Sequence, residues 1–169
     1  GEIDIVMSGL DISKERKKNY LMIPYFGDTI KTMGLVYNKS KSISKNDLKD
    51  KKLKVGVEPG HSINDGLCDL YKNLERDYIS SLSDMILRLK YKKVDGLLME
   101  PALANRIASE NNDIFEVFEF DIPKEFWIDG CGIVLKNGNI KLGNIITKAI
   151  NKLRTNGTIG ALEKKWKVK

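Results

Sequence analysis

The chain has 169 residues, of which 41% are hydrophobic and 31% charged, and its net charge is +6. This length suits one ordinary domain or two small lobes, and the hydrophobic content excludes a disordered chain. No apolar run is long enough to span a membrane, and a single histidine excludes a metal site built on several histidines. The lysines are scattered, without a zinc finger or an arginine-rich stripe, which favours a solvated surface and no nucleic-acid partner.

The predicted elements alternate between strands and helices along the chain. Hydrophobic runs predict strands at 3–7, 33–37, 53–57, 94–99, 114–118 and 131–135. Helical spacing predicts helices after Ser13, over 62–74 and 82–89, from 142 to the turn at 156–157, and up to 166. Ser13 and Ser83 are predicted N-caps, and Pro101 suits a first helical turn. This alternation predicts an α/β protein with largely parallel strand pairing.

The first residues resemble a strand already under way. Gly1 to Met7 contains no initiator methionine and no apolar leader. We therefore expect the chain to begin inside a longer gene product, with any signal segment outside it.

The residue types that catalysis requires are poorly represented. Ser8, Ser62, Cys68 and Cys131 have only His61 as a possible imidazole partner, and His61 is predicted to lie exposed in a turn. The GxSxG, Walker A and GxGxxG motifs are absent. We predict no catalytic residue, no metal and no cofactor. The two cysteines are interpreted as free small side chains, with a single bridge left open.

Ligand capture fits the remaining polar residues better. A serine–glycine turn follows the first strand, and an arginine lies just inside the next helix. A further glycine turn precedes a helix, and an acid follows a strand. In open α/β sheets, ligands bind at such strand ends.

Six segments, in order along nearly the whole chain, resemble the type II periplasmic solute-binding proteins for polar amino acids (family 3). Gly1–Arg16 is similar to the family signature G-x-I-D-x-x-x-S-G-x-x-I-T-x-E-R. The other segments are Pro24–Tyr25, Leu48–Gly60, Val94–Pro101, Gly132–Asn139 and Asn156–Trp166. Phe126–Gly132 and the Glu100–Pro101 pair look most like the arginine-binding members.

This resemblance implies a two-lobe α/β fold in which lobe 1 lacks its N-terminal segment. Lobe 1 would comprise 1–26 and 132–169, lobe 2 would comprise 32–126, and the hinges would lie near 27–31 and 127–131. Ligand binding by hinge closure would shift an equilibrium between open and closed forms. With part of lobe 1 missing, Leu142, Ile146, Ile150 and Leu153 are expected to need covering by another chain or segment.

The resemblance also implies roles for individual residues. Arg16 would bind the α-carboxylate of an amino acid, and Glu100, where the family has Asp, would bind the α-ammonium. The full predicted ligand-binding set is Ser8, Gly9, Asp11, Arg16, Glu58, Ser62 and Glu100. Ser62 is equally interpretable as an N-cap. Acids at positions 11 and 58 favour a cationic side chain, since a buried charge must be paired.

The implied function is an extracytoplasmic receptor, periplasmic or a cell-surface lipoprotein, for arginine or another basic amino acid. Its partners would be the permease subunits of an ABC importer, and it would not be an enzyme. Three alternatives remain: a dehydratase on the same fold using Asp11 or Glu100 as an acid, the ligand-sensing domain of a membrane receptor, and a generic basic interaction protein.

Overall fold

The computed structural model describes residues 3–166, and the chain divides into two compact units. Unit 1 combines Gly1–Thr29 with Ile128–Lys169, and unit 2 is the continuous segment Ile30–Trp127. Both boundaries fall inside the segments predicted as hinges, and the role of those segments stays a prediction. Gly1 and Glu2 of the predicted first strand lie outside the described residues.

Strands and helices follow one another along the chain. The strands are β1 (Ile5–Val6), β2 (Tyr20–Phe26), β3 (Thr32–Asn38), β4 (Leu53–Val57), β5 (Leu74–Tyr78), β6 (Gly96–Met99), β7 (Phe115–Asp121) and β8 (Cys131–Lys136). The helices are α1 (Lys14–Asn19), α2 (Asp47–Asp50), α3 (Ser62–Leu70), α4 (Leu82–Lys90), α5 (Pro101–Glu110), α6 (Ile140–Thr155) and α7 (Thr158–Trp166). Short 3-10 turns span Lys39–Lys41 and Lys124–Phe126.

Unit 1 is built on an antiparallel sheet with the order β1-β8-β2. Because side chains alternate along a strand, Leu21, Ile23 and Tyr25 share one face of β2. That face joins Ile133 and Leu135 of β8 in a small core. The α6 residues packed against this core are Leu142, Ile146 and Ile150. The sheet buries these three residues only in part, so the expectation that another chain or segment covers them stays a prediction.

The outer surface of unit 1 is nevertheless apolar in places. Of the α6 residues, Gly143 alone is fully buried. Leu153 of the predicted stripe is 37% exposed, and Ile145 is 57% exposed. In α7, Leu162 and Trp166 are 49% and 69% exposed. Helix α6 packs one side against β2 of the three-stranded sheet, whereas α7 packs against α6 and has no fully buried residue.

A glycine pair joins the end of β2 to the start of β8. Gly130 has φ +73°, and a Cβ placed on it would lie 2.5 Å from the Phe26 carbonyl oxygen and 2.7 Å from that of Gly27. Residue 130 therefore faces backbone, which cannot move aside as a flexible side chain can. This close approach keeps the two strands of unit 1 in register where the chain enters and leaves the unit.

Unit 2 contains a sheet with the order β5-β4-β6-β3-β7. Strand β4 is parallel to β5 and β6, whereas β3 is antiparallel to β6 and β7. Residues 33–38 of β3 are all buried, as expected for a strand covered on both faces. The core beside it includes Val36, Leu89, Leu97, Ala104, Ile107 and Phe115.

The prediction of largely parallel pairing is wrong, because only the pairs β4–β5 and β4–β6 are parallel in the described sheets. Two strands, β2 and β5, were not predicted as such. The predicted helix over 62–74 ends at Leu70, since a turn containing Asn73 separates it from β5. The cap of α4 is Ser81 rather than Ser83, with the Ser81 hydroxyl accepting from the Asp84 N–H.

Asp95 anchors the start of β6. Its Oδ2 accepts a hydrogen bond from the Lys54 N–H at 2.7 Å, its Oδ1 pairs with the Lys41 ammonium, and its side chain is 23% exposed. Burial raises the pKa of this carboxyl, but the hydrogen bonds from Lys41 and Lys54 outweigh burial, so the pKa lies below its usual value. The carboxylate therefore contributes stability that is complete above the unfolded-state pKa of about 3.9 and is lost as the pH falls through the lower folded pKa.

We expect Asp95→Asn to lower the free energy of unfolding by about 1–3 kcal/mol at pH 7, because a charged acceptor is lost. The difference from wild type should shrink below about pH 4, where wild type also loses the carboxylate. Urea denaturation at pH 7, 5 and 3 measures both effects, with Asp113→Asn, an exposed acid of the same unit, as control. If the difference in free energy of unfolding between wild type and Asp95→Asn is as large at pH 3 as at pH 7, the charge of the Asp95 carboxylate is not what stabilises the fold.

Candidate ligand-binding site

The topology of unit 2 brings two acids to one edge of its sheet. Glu58 directly follows β4, and Glu100 directly follows β6. Because β4 and β6 are parallel neighbours, their carboxyl ends meet at the same edge. Ile79 and Ser80 reach this edge as well, since they follow β5, the other parallel neighbour of β4.

A cavity of about 410 Å³ lies at this edge of unit 2. It is lined by Glu58, His61, Asn64, Ile79, Ser80, Leu82, Met85, Leu98, Met99, Glu100 and Leu103. The two carboxylates are on exposed residues, whereas Ile79 and Met85 are 2% and 5% exposed. The described lining residues include two acids and no lysine or arginine, so the cavity favours a cation.

His61 takes a different position from the one predicted. It is the N-cap residue of α3, its side chain is only 15% exposed, and its Nε2 lies 3.8 Å from Glu100 Oε1. The expectation of an exposed turn histidine is wrong, because the turn folds the ring into the cavity wall. Glu100 is itself the N-cap residue of α5, with Pro101 in the first turn as predicted.

Ser62 begins α3 but does not cap it. The N-cap is His61, without a side-chain capping bond, so the cap interpretation of Ser62 is wrong. Ser62 is exposed and does not line the cavity. The first N–H groups of a helix have no intrahelical acceptor, and here no capping side chain substitutes, so this helix start suits an anionic group.

In unit 1, a capped turn positions the predicted arginine. The Ser13 hydroxyl accepts from the Arg16 N–H at 3.2 Å, which starts α1 as the sequence predicted. The half-buried Arg16 donates from Nη1 to the Asp11 carbonyl oxygen at 3.0 Å. A guanidinium has five N–H donors, and the bond to the Asp11 carbonyl uses one of them, so the group has the donor capacity to bind a ligand carboxylate as well.

The loop before α1 is tied to the sheet of unit 1. The backbone of Asp11 forms an isolated antiparallel β-bridge with that of Cys131, the first residue of β8. Gly9 donates its N–H to the Tyr25 hydroxyl at 3.3 Å, and Ser8 is exposed beside it. The structure thus brings Ser8, Gly9, Asp11 and Arg16 together on one loop and helix start.

Sequence reasoning missed Asn64, which is 1% exposed in α3 and lines the cavity of unit 2. The buried residues of α3 are Ile63, Asn64, Leu67 and Cys68. A polar residue inside such a helical apolar stripe is the signal that could have identified it, because buried amides are uncommon without a partner.

Neither cysteine forms a disulfide in the structure. Burial raises the pKa of the Cys68 thiol to about 11, which makes this thiol unreactive at neutral pH. Among residues 3–166, no three His, Cys, Asp or Glu side chains are grouped to hold a metal ion. The described helices include none with the length and apolar character needed to cross a membrane.

Polar groups at the strand ends of unit 2, beside a cavity, are typical of a binding site for a small solute. The chain belongs to the bacterial extracellular solute-binding proteins, family 3, whose family model matches residues 1–169. The resemblance found in the sequence is thereby confirmed.

Relatives in this family differ in the ligands that their names state. The chain is 28% identical to the probable ABC transporter arginine-binding protein ArtJ of Chlamydia trachomatis, over 97% of this chain and 62% of the relative. It is 27% identical to the L-cystine-binding protein TcyJ of Escherichia coli, over 97% of this chain and 60% of that relative. A solved structure, an ancestral arginine-binding protein bound to arginine, is similar with a TM-score of 0.77 and 28% identity, covering 98% of this chain and 72% of that one. The chain thus spans about three fifths of the length of these curated relatives.

Proposed function

We propose that the chain forms the ligand-binding part of an extracytoplasmic receptor for a basic L-amino acid, with arginine as the preferred ligand. The observation that carries this proposal is the cavity of unit 2, with two acids and no lysine or arginine among its described lining residues. The names of the relatives support an amino-acid ligand, and arginine occurs among them. The receptor would deliver its ligand to an ABC permease in the membrane, and it would not be an enzyme.

Each charged group of an amino acid has a proposed partner. The planar guanidinium of Arg16 suits a carboxylate, which it can bind through two parallel N–H groups. The uncapped start of α3, at Ser62, can donate backbone N–H groups to the same kind of anion. Glu100 is proposed to accept from the α-ammonium.

The acids also select the ligand's side chain. Glu58 lies in the same cavity lining as Glu100, and Asp11 adjoins Arg16 through its carbonyl. Glu58 is exposed in the structure, and a bound ligand that covers it with an uncharged side chain such as that of glutamine would desolvate its carboxylate without supplying a cation, which costs free energy. Arginine, lysine and ornithine supply that cation.

We expect isothermal calorimetry on the protein expressed from its complete reading frame to show micromolar or tighter binding of arginine, lysine or ornithine, with glutamine much weaker. At a ligand concentration a hundredfold above Kd, the complex should be more stable than the free protein by about 2.7 kcal/mol, which a thermal-shift screen detects. A clear response to glutamine or glutamate, with none to the three basic amino acids, would overturn the proposal.

A further inference from the structure

The end of the unit 2 sheet that lies away from the cavity is strongly basic. The parallel strands β4 and β6 begin there, and the antiparallel β3 ends there, with Tyr37 opposite Gly96. The connection from β3 to β4, residues 39–54, therefore lies at this end, and it carries seven lysines and two aspartates, a net charge of +5. Residues 90–93, shortly before β6, add three lysines and no acid.

Hydrogen bonds and an ion pair hold these segments to one another. The Asp95 carboxylate pairs with the Lys41 ammonium, and the Asp95 N–H donates to the Lys54 carbonyl oxygen at 2.6 Å. The Asn73 amide donates to the Lys49 carbonyl oxygen, which joins the turn before β5 to the end of α2. The lysines are thus presented by one ordered surface. We call this surface the basic end of unit 2, and it comprises residues 39–54 and 90–95.

Only part of the charge of the basic end is neutralised within the unit. Four of its lysines lie within ion-pair distance of carboxylates of unit 2. The six others are exposed and have no carboxylate within that distance in the part of the chain that the structure describes. Such a surplus of one sign, opposed by the single further aspartate Asp50, favours a polyanionic partner. The six surplus lysines are Lys39, Lys45, Lys49, Lys90, Lys92 and Lys93.

An exposed tyrosine stands among the surplus lysines. Tyr91 is the C-cap residue of α4 and is 68% exposed. Its N–H donates to the carbonyl oxygens of Leu87 and Leu89, so the backbone of this turn is ordered. A tyrosine ring has an apolar body and a polar tip, and tyrosine is enriched at the headgroup level of membranes for that reason.

The composition of the basic end favours a lipid surface over a nucleic acid. Its surplus cations are lysines, whose compact charges on flexible stems suit a layer of many phosphates. The neighbouring Arg88 is already paired with Asp77 and Asp84. Proteins bind single-stranded nucleic acids by stacking successive bases on aromatic rings, and Tyr91 is the only aromatic residue in the sequence of the basic end.

We propose that the basic end of unit 2 binds the anionic phospholipid surface of the membrane that contains the permease. The inference rests on the proposed function for its partner, because an extracytoplasmic receptor works beside such a membrane. Each lysine near an anionic lipid surface raises the affinity roughly fivefold. Glu58 and Glu100 follow the opposite ends of β4 and β6, so the ligand-binding edge of unit 2 is not the surface that the lipid covers. Retention at the membrane would raise the concentration of the receptor near its permease.

Sedimentation with lipid vesicles tests the proposal. Wild type should bind vesicles of phosphatidylglycerol and phosphatidylcholine in equal parts, and it should not bind pure phosphatidylcholine. Added salt should weaken the binding, because it screens exposed charges. Replacing four surplus lysines by glutamine should lower the partition coefficient by about tenfold or more. The four positions are Lys45, Lys49, Lys90 and Lys93.

The matched control removes the same number of charges from exposed lysines of unit 1. Its partition coefficient should stay within about threefold of wild type, because the basic end is intact. Equal losses in the two quadruple variants would mean that net charge alone drives binding, and they would overturn the proposal. The control substitutions, also to glutamine, are at Lys141, Lys148, Lys152 and Lys164.

Tyr91→Ala tests the surface without changing its charge. It should lower the partition coefficient by about threefold or more, because the ring no longer enters the headgroup layer. Tyr20→Ala, which removes a half-exposed ring from unit 1, should have no effect.

Two outcomes with wild type would also overturn the proposal. One is an absence of preference for phosphatidylglycerol, and the other is retention on soluble polyglutamate without binding to the vesicles, which would indicate an acidic macromolecule as partner. Calorimetry with arginine keeps the proposed function separate. The quadruple variant of the basic end should bind arginine within about twofold of wild type, as expected for surface substitutions outside the site. Failure of wild type to bind any basic amino acid, with vesicle binding retained, would overturn the proposed ligand and leave the lipid surface supported.

Discussion

Replacing Arg16 by alanine is expected to lower the affinity for arginine by roughly 30-fold or more. The half-buried guanidinium is held by the Asp11 carbonyl, and it has further donors for the ligand's carboxylate. Removing one partner of a desolvated hydrogen-bonded charge pair costs about 2–5 kcal/mol, much of it from the charge left unpaired. Calorimetry with arginine on the protein expressed from its complete reading frame measures the change.

The neighbouring Lys17 provides the matched control. Its ammonium pairs with Asp129 at 2.6 Å, and both side chains are about half exposed, so this ion pair contributes little. Lys17→Ala removes the same charge from the same helix and should leave the Kd within about twofold. Equal affinities of wild type and Arg16→Ala would show that the carboxylate is bound elsewhere. Circular dichroism should show both variants folded, because the backbone of α1 is capped by Ser13 and not by either side chain.

Gly130→Ala should be among the most destabilising single-methyl additions in the chain. The new Cβ would lie 2.5 Å and 2.7 Å from two backbone carbonyl oxygens, and the residue has φ +73°. The left-handed conformation costs about 1–2 kcal/mol for a residue with a Cβ, and relieving the clash costs about 1–3 kcal/mol more. We expect the free energy of unfolding of unit 1 to fall by about 2–5 kcal/mol in urea denaturation.

Gly138→Ala separates the two contributions. Gly138 also belongs to unit 1 and has φ +87°, but a Cβ there would meet no atom within 4 Å. This variant should lose only the conformational part, about 1–2 kcal/mol. Equal losses for the two alanine variants would mean that the close approach of residues 27 and 130 does not matter for stability.

Local signals in the sequence predicted much of the local structure. Ser13 followed by Arg16 identified the start of α1, and Asn156–Gly157 identified the end of α6, since capping is decided by neighbouring residues. Glu100 was identified as an acid at a strand end and by the family resemblance, and Glu58 by the resemblance alone. The tendency of ligands to bind at the carboxyl ends of strands predicts that such residues lie near a ligand, even when it is not known which strands pair.

Features that depend on distant parts of the chain were not predictable in this way. Strand β3 pairs antiparallel with β6 and β7, which lie about 60 and 80 residues further along the chain, and no local pattern fixes that direction. The burial of His61 depends on the cavity formed by the ends of three strands. Asn64 was missed for the same reason, because its apolar surroundings come mainly from elements after α3.

The order of the two units along the chain has a consequence for folding kinetics. Unit 2 is continuous, and its first and last strands are neighbours, with Thr32 opposite Asp121. Unit 1 instead needs β2 and β8, which are separated by all of unit 2. Once unit 2 is folded, the loop to be closed shrinks from about a hundred residues to a few, which saves about 2.5 kcal/mol of chain entropy. During synthesis, unit 2 can therefore mature while still tethered to the ribosome, and unit 1 must wait until β8 emerges.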